Sequence, residues 1–458
     1  MDIKELYQLY KQHPCITTDS RDCPEGSIFL ALKGASFNGN QFAIQALEKG
    51  CAYAIVDEES EELRVKSEES SEGESQFSGR IIKVDNCLQT FKDLAREHRR
   101  QFDIPVIGIT GTNGKTTTKE LIAAVLSEEY NVLYTQGNFN NDVGVPKTLF
   151  GLNETHDIAV IEMGASHPGD IKTLVETAEP TCGLITNVGR AHLQGFGSFE
   201  GVKRTKGEMY DFLASQQKKD FEKGFLFINE DDHDLQQMAD ERGLIFRSSY
   251  GLGDNEDITV KGQVISCAPF LKFCWFVHDE EEGDSEKYVI QTHLIGSYNV
   301  YNMLAAISVG LYFDVDEKHI NHALANYVPS NNRSQLEETA HNHLIVDAYN
   351  ANPTSMAAAL KNFRDMEVSP KMAILGDMRE LGEASAEEHQ HAVDLMKEYG
   401  LENVWLVGDE FGKTTCDYRR FKDVEEVKAA IKEEQPKGYY ILIKGSNSMK
   451  LYQLPTLL

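Results

Sequence analysis

Apolar runs of three to five residues, most closed by glycine or a polar side chain, recur along the chain and fall into three blocks. The first predicts strands at Ile28–Leu32, Ala52–Val56 and Ile81–Val84 and ends near residue 103. The second opens with the buried-strand pattern Pro105–Thr110. It continues with helix-like segments between the runs Ile158–Ile161 and Cys182–Ile185, the latter carried on by Thr186. The third starts at about Arg333 and contains Leu344–Val346, Met372–Leu375, Val404–Val407 and Tyr440–Ile443. Strands alternating with helices imply parallel sheets with right-handed crossovers. Each run of the third block is followed at once by Asp347, Gly376-Asp377, Gly408-Asp409 or Lys444-Gly445-Ser446. Open α/β sheets place their chemistry at the carboxyl ends of such strands, so this block is expected to be Rossmann-like and to face the second.

Two acidic stretches interrupt the pattern. Asp57 to Gly79 is Ser-rich and without apolar periodicity, and reads as a solvated insertion. Asp279 to Glu286 reads as a hairpin tip or surface loop. The expected fold class is α/β in three domains, 1–103, 104–329 and 330–458, the central one a P-loop mononucleotide-binding domain built on a parallel sheet.

Length agrees, since 458 residues at roughly 150 per domain give about three domains. With 45 Lys plus Arg against 73 Asp plus Glu the net charge is −28, which argues against a nucleic-acid partner because phosphate backbones are bound by clustered cations. It leaves room for a nucleotide enzyme, where a few local cations and a bound Mg²⁺ suffice. The eight cysteines are scattered, with no metal-type spacing, and read as reduced thiols. No run approaches the roughly 18 apolar residues of a membrane span, and Met1 to Glu5 has no signal-like character. A cytoplasmic enzyme without membrane insertion is expected.

The most specific segment is Gly111-Thr112-Asn113-Gly114-Lys115-Thr116-Thr117, set between a predicted strand and an amphipathic helix from Thr118 to about Ser127. Glycines let backbone N–H groups turn toward phosphate oxygens, and the helix N-terminus adds partial positive charge. Lys115 can reach the outer phosphates and Thr116 can hold Mg²⁺. The longer consensus asks for Gly where this chain has Ile109, so the match is to a shortened variant. Glu162 closes the next apolar strand and is either a metal ligand, direct or through water, or a strand-end ion-pair partner. His192 follows the strand ending at Thr186 and is one of 14 histidines. Lys206, within Lys203 to Tyr210, has nothing in its composition to set it apart from a surface lysine.

Taken together, Gly111 to Thr117, Glu162, Asn187 to His192, Lys206, Asn299 with Asn302, Arg333 and Asp347 resemble, in order and over essentially the whole chain, the Mur ligases of peptidoglycan precursor synthesis. Gly137 to Pro146, Glu162 to Ala165, Asp347 to Pro353, Leu375 to Gly382 and Lys444 to Ser446 resemble the member that adds D-alanyl-D-alanine to UDP-N-acetylmuramoyl-tripeptide. No D-N-P-R or D-D-P-N-R run of the enzyme adding the third amino acid is present.

The resemblance implies an ATP-dependent ligase working through an acyl phosphate. Lys115 and Thr116 would bind ATP phosphates and one of two Mg²⁺ ions, with Glu162 and His192 placing the metals. Lys206 matches the lysine that is carbamylated in the family, where the carbamate would ligate the second Mg²⁺. Asn138, Asn299 and Asn302 resemble adenine-side residues, and Arg333 and Asp347 the γ-phosphate and ribose contacts. Ser20 and Arg21, within Thr18 to Arg21, resemble the uridine-nucleotide segment that would make 1–103 the UDP-substrate domain. Asn140, Asn141, Tyr349, Asn350 and Asn352 are implied in substrate binding, and a monomer is expected. Two features depart from the family, the acidic insertion around Glu58 to Glu74 and Asn331-Asn332-Arg333-Ser334, which lacks a Gly-Arg. Rival readings are the sister ligase for the third amino acid, a folylpolyglutamate synthase-like ligase, a P-loop switch ATPase or GTPase, for which the guanine-reading N-K-x-D run is absent, and a non-catalytic nucleotide-binding scaffold.

Overall fold

The structure, a computed structural model, describes residues 1–34, 36–58, 77, 79–220, 223–279, 283–329 and 335–458. Most of the acidic insertion, residues 280–282 of the second acidic run, and Arg333 with its neighbours lie outside the described residues. Two compact units are present. One comprises residues 1–104, 135–156 and 173–179; the other 105–134, 157–172 and 180–458.

In the first unit, β1 (Ile16–Thr17) and β2 (Ile28–Leu30) precede a ribbon of β3 (Lys33–Gly34) with β4 (Phe37–Asn38). β5 (Tyr53–Val56) and β6 (Ile81–Lys83) complete a parallel sheet of order β1-β2-β5-β6. Its core joins Ile28, Phe29 and Ile55 to Leu6 and Tyr10 of helix Ile3–Gln12 and to Phe91 and Leu94 of helix Cys87–Arg99.

The second unit holds two sheets. The larger contains β7 (Val106–Thr110), β8 (Val132–Tyr134), β9 (Ile158–Glu162), β10 (Cys182–Ile185), β11 (Phe225–Asn229), β12 (Arg247–Gly251), β13 (Val260–Cys267), β14 (Phe270–Asp279), β15 (Gly283–Asp284) and β16 (Tyr288–Ile295). From β8 through β9, β7, β10, β11 and β12 to β13 all pairings are parallel, and β14 then pairs antiparallel with β13, β15 and β16. Every residue of β7 and β9 is buried, as expected of parallel strands covered on both faces, whereas β16 alternates between core and solvent. The strands β14 and β16 that flank the second acidic run pair antiparallel, the arrangement of a hairpin.

The C-terminal sheet runs β17 (Gln335–Glu338), β18 (His343–Asp347), β22 (Tyr440–Lys444), β19 (Lys371–Gly376), β20 (Val404–Val407), β21 (Arg419–Phe421), parallel except for β17. Separate apolar clusters cover its two faces, one around Leu360, Phe363 and Val393, the other around Val427, Ile431 and Leu451. One local expectation is corrected: the helix after the phosphate loop spans Lys115–Leu126, starting three residues before Thr118. Lys115, Thr116 and Thr117 form its first turn, a position that apolar periodicity cannot register because the first turn carries the anion-facing groups.

Candidate active site

β7 lies between β9 and β10. The chain leaving β7 goes to β8 on one side, and the chain leaving β10 goes to β11 on the other, so the carboxyl ends of β7 and β10 form a topological switch point. The phosphate loop occupies it. Gly111 and Gly114 have φ of +146° and +80°, and a Cβ on either would come within 2.0 Å of Thr186 Oγ1 or 2.7 Å of Asn302 Oδ1. Only glycine fits both the backbone and the space.

The residues just after β10 hold the loop in shape. Thr112 N–H donates to the Asn187 carbonyl (3.0 Å) and Asn113 N–H to Asn187 Oδ1 (3.1 Å). Thr186 Oγ1 and Asn187 Nδ2 both donate to the Asn113 carbonyl (2.6 and 3.0 Å), and Gly189 N–H donates to Thr112 Oγ1 (2.9 Å). The first intrahelical bond runs from Thr118 N–H to Gly114 O (2.8 Å), so the N–H groups ahead of it are those a helix start offers to an anion. Lys115 Nζ folds back onto the carbonyls of Gly111 and Thr112 (2.7 and 3.0 Å). From the far side of the helix, Thr118 Oγ1 donates to Asn302 Oδ1 (3.0 Å), Asn302 donates to Asn299 Oδ1 (2.8 Å), and Asn299 donates to the Ile295 carbonyl (2.7 Å).

Glu162, the last residue of β9 and 1% exposed, accepts a hydrogen bond from Thr116 Oγ1 at 3.2 Å. Lys206, on helix Phe199–Gln217, is 3% exposed, with its Nζ 5.8 Å from the centre of the Phe196 ring. Burial, reinforced by the charge of Lys115, pushes its amine well below the usual lysine range. His192 has a left-handed backbone (φ 50°), and its Nδ1 faces the Glu380 carboxylate. Burial pushes its imidazole down despite Glu380, and Lys115 and Lys206 add to that direction. Buried oxygen donors on Thr116 and Glu162 suit Mg²⁺. Among the described residues no three His, Cys, Asp or Glu side chains converge, so a metal here would take much of its coordination from nucleotide and water, as Mg²⁺ commonly does.

The C-terminal sheet contributes from its own strand ends. Asp347, at the end of β18, accepts from Lys444 Nζ at 2.6 Å, and Lys444 also reaches the Asn350 carbonyl (3.3 Å). Asp347 lines a small pocket with Tyr298, Asn362 and Phe363. Asn352 caps helix Pro353–Asp365 and donates from Nδ2 to Asn113 Oδ1 in the phosphate loop. Thr354 follows closely. Its Oγ1 accepts from Arg190 N–H (3.0 Å) and would lie 2.8 Å from a Cβ at position 189. Arg190 pairs with Glu388 (3.0 Å). Tyr349 on the same loop is 38% exposed.

The structure thus brings together Gly111 to Thr117, Glu162, His192, Lys206, Asn299, Asn302, Asp347, Asn350 and Asn352 within the second unit. Tyr349 is in the same unit but largely at the surface, Arg333 lies outside the described residues, and Ser20, Arg21, Asn138, Asn140 and Asn141 belong to the first unit. There Arg21 forms a two-pronged pair with Asp19 (2.9 and 2.8 Å) that holds the Asp19 carboxyl far below the usual range. The Ser20 carbonyl accepts from Lys49 Nζ (2.6 Å). Asn140 N–H bonds the Asn138 carbonyl (2.8 Å), and Asn141 Oδ1 accepts from the N–H groups of Gly144 and Val143 (2.8 and 3.2 Å). Thr186, Asn187, Glu380 and Lys444 were not singled out as site residues from the sequence. Asn187, Glu380 and Lys444 fall in stretches that carry the family resemblance, and Thr186 follows directly on β10, but nothing in the sequence marks any of them as a contact of the loop or of His192.

Comparison with known proteins gives three family matches: "Mur ligase family, catalytic domain" over residues 14–99, "Mur ligase middle domain" over 109–310, and "Mur ligase, glutamate ligase domain" over 332–447. UDP-N-acetylmuramoyl-tripeptide--D-alanyl-D-alanine ligase of Bacillus subtilis (strain 168) is 32% identical over 457 residues, covering 96% of this chain and 92% of the relative. The enzyme of the same name from Escherichia coli (strain K12) is 32% identical over 458 residues, covering 96% and 92%. A crystal structure of MurF from Acinetobacter baumannii superposes with a TM-score of 0.82 at 28% identity, covering 99% of this chain and 97% of that one. The three-domain α/β architecture is that of these ligases.

Proposed function

Because this chain belongs to the Mur ligase family, we propose that it joins D-alanyl-D-alanine to UDP-N-acetylmuramoyl-tripeptide at the expense of ATP, a late step in peptidoglycan precursor synthesis. The observation that carries the reading is full-length similarity to ligases named for that reaction. The phosphate loop at the switch point supports it.

A free carboxylate is a poor electrophile. Phosphorylation of the tripeptide carboxylate gives an acyl phosphate, the amine of D-alanyl-D-alanine attacks its carbonyl, and the tetrahedral intermediate expels phosphate. The helix N-terminus at Lys115 to Thr117 binds the nucleotide phosphates, and Lys115, released from the carbonyls of Gly111 and Thr112, neutralises the transferring group. Thr116, Glu162 and His192 would hold Mg²⁺, which supplies charge neutralisation at the phosphoryl oxygens when bound. A bare Lys206 is the wrong charge beside a cation. Its depressed basicity favours the neutral amine, which attacks CO₂, loses a proton and becomes a carbamate with the charge and oxygens of a carboxylate. Asn299 and Asn302 would lie on the adenine side, joined by Asn138. Asp347 would meet the ribose, with Arg333 at the γ-phosphate. Ser20, Arg21, Asn140 and Asn141 would serve the uridine-nucleotide substrate, and Tyr349, Asn350 and Asn352 the acceptor side. Residues 1–103 would be the UDP-substrate domain, 104–329 the ATP domain and 330–458 the closing domain that excludes water from the acyl phosphate. No helix among the described residues is long and apolar enough to cross a membrane, and a cytoplasmic monomer fits these small-molecule substrates.

The test is phosphate release from ATP and Mg²⁺ with UDP-N-acetylmuramoyl-tripeptide, with and without D-alanyl-D-alanine, with mass spectrometry of the product. Release that needs both substrates and yields the pentapeptide supports the reading. Activity only on the dipeptide precursor plus an amino acid, or on a folate plus glutamate, moves the substrate to a sister enzyme.

A further inference from the structure

The loop after β19 is anchored with unusual completeness for a surface segment. His389, on helix Ser385–Glu398, is 0% exposed, with its Nδ1 2.7 Å from the Ser385 carbonyl and its Nε2 3.0 Å from the N–H of Met378. A carbonyl only accepts and an N–H only donates. These partners therefore assign the neutral ring with the proton on Nδ1 and the lone pair on Nε2. Asp377, also 0% exposed, accepts from the N–H groups of Glu410 (3.0 Å) and Phe411 (2.9 Å), while its own N–H donates to the Val407 carbonyl (3.0 Å). Arg379 N–H donates to Ser446 Oγ (3.0 Å), and the Asp377 carbonyl accepts from Ser446 N–H (3.2 Å).

All this fixing ends at a residue held in an unfavourable backbone. Glu380 has φ of 64°, a left-handed conformation that a non-glycine side chain seldom takes. Its carbonyl accepts from Gln194 N–H (3.1 Å), and its carboxylate faces Nδ1 of His192. A carboxylate is an acceptor only, so a neutral His192 ring facing it carries its proton on Nδ1. Nε2 is then left as a lone pair, the form in which histidine ligates a metal or accepts a proton, with the carboxylate partner fixing ring orientation.

We propose that Glu380 is a positioning residue for His192, and that Asp377 and His389 hold it there. The C-terminal sheet thereby delivers the group that sets the histidine of the phosphate-loop sheet. The effect on turnover rests on the ligase reading above; the effect on the His192 ring does not.

The experiment uses the full chain with ¹⁵N-labelled histidine and four variants: Glu380→Ala, Glu380→Gln, His389→Asn and His389→Gln. Gln at 380 keeps an acceptor for His192. Gln at 389 keeps an acceptor at the position of Nε2, whereas Asn reaches only the position of Nδ1. The expected result is the Nδ1–H tautomer of His192 in the unsubstituted chain, lost in Glu380→Ala and His389→Asn and restored in the two Gln variants. Turnover should follow the same split, with kcat falling about 10–100-fold in the first pair, as for loss of a carboxylate partner behind a functional histidine. The KM for the UDP substrate should stay unchanged. An Nε2–H tautomer in the unsubstituted chain, or a tautomer indifferent to Glu380→Ala, overturns the proposal. So does a uniform loss of activity in all four variants, which would mark a merely structural loop. Should the unsubstituted chain fail to ligate, the ligase reading falls while the tautomer measurement still decides this one. Glu380 is largely exposed, so its variants keep the test alive even where His389→Asn fails to fold.

Discussion

Asn352 donates its side-chain amide to Asn113 of the phosphate loop at 2.8 Å while its Oδ1 accepts from Ser355 N–H, also at 2.8 Å, as the cap of helix Pro353–Asp365. One side chain thus starts a helix of the C-terminal sheet and touches the glycine-rich loop after β7. The two roles are separable. Serine caps as well as asparagine but is too short to reach Asn113. Asn352→Ser should keep its melting temperature and raise the KM for ATP by up to about tenfold, the worth of one hydrogen bond of roughly 0.5–1.5 kcal/mol. Asn352→Ala should show the same kinetic defect and lose about 1 kcal/mol of stability as well. An unchanged KM in both variants would mean that the contact plays no part in nucleotide binding.

Lys115 donates to the carbonyls of Gly111 and Thr112, partners it would give up to serve a nucleotide in the proposed reaction. Lys115→Ala should abolish turnover and leave circular dichroism and thermal melting close to those of the unsubstituted chain. Normal ligation by that variant would remove the phosphate-loop assignment.

Lys206 tests the carbamate. Lys206→Ala should be inactive and recover part of its activity with formate or acetate, and the unsubstituted enzyme should lose activity in CO₂-depleted buffer and regain it with bicarbonate. No rescue by any short carboxylic acid, together with indifference to CO₂, would dismiss the modified lysine.

His98 should make the protein sensitive to acid. Its Nδ1 meets Tyr7 OH and its Nε2 the Leu152 carbonyl (3.0 Å each), and burial pushes its pKa below the usual 6.5. The unfolded chain therefore takes up a proton near pH 6.5 that the folded chain refuses. Stability is full above that pH and declines as pH falls toward the folded-state pKa, at up to about 1.4 kcal/mol per pH unit for one proton. His192 and His389 shift in the same direction. Urea midpoints measured between about pH 7.5 and about pH 5.5 should fall, and less steeply in His98→Gln. An identical slope in that variant would show that His98 titrates alike in both states.

Most of the strands that sequence made visible are buried on both faces. Val106–Thr110, Ile158–Glu162 and the four strands β18, β19, β20 and β22 are short apolar runs closed by glycine or a polar group, the pattern a parallel core strand must have. β13, β14 and β16 were not foreseen, because half-buried antiparallel strands carry residues such as Lys261, Lys272 and Gln291 and lack a continuous run. The phosphate loop was legible for a local reason: glycines, lysine and threonine must be adjacent in the chain to form it. Glu380 facing His192 was not legible, because 188 positions separate two ordinary residues that only the fold unites. Lys206 was drawn in by resemblance alone; its burial, which gives it chemistry, is a tertiary fact.

The composition of the first unit bears on how the protein is made. Phe150, carried by the 135–156 segment, packs its ring against Tyr10, Phe91 and His98, with centroids 5.0, 5.5 and 5.6 Å apart. The Arg99 guanidinium donates to the carbonyls of Ala178 (3.1 Å) and Glu179 (3.4 Å) in the 173–179 segment. A nascent chain that has emerged from the ribosome only as far as residue 104 therefore lacks part of the core of its first unit. The contacts of that unit are complete only once residue 179 has been synthesised, after the glycine-rich loop and its helix. The last contacts around Arg99 and Phe150 thus wait on the translation of some seventy-five residues beyond residue 104, so the N-terminal segment reaches its full packing in step with the start of the second unit.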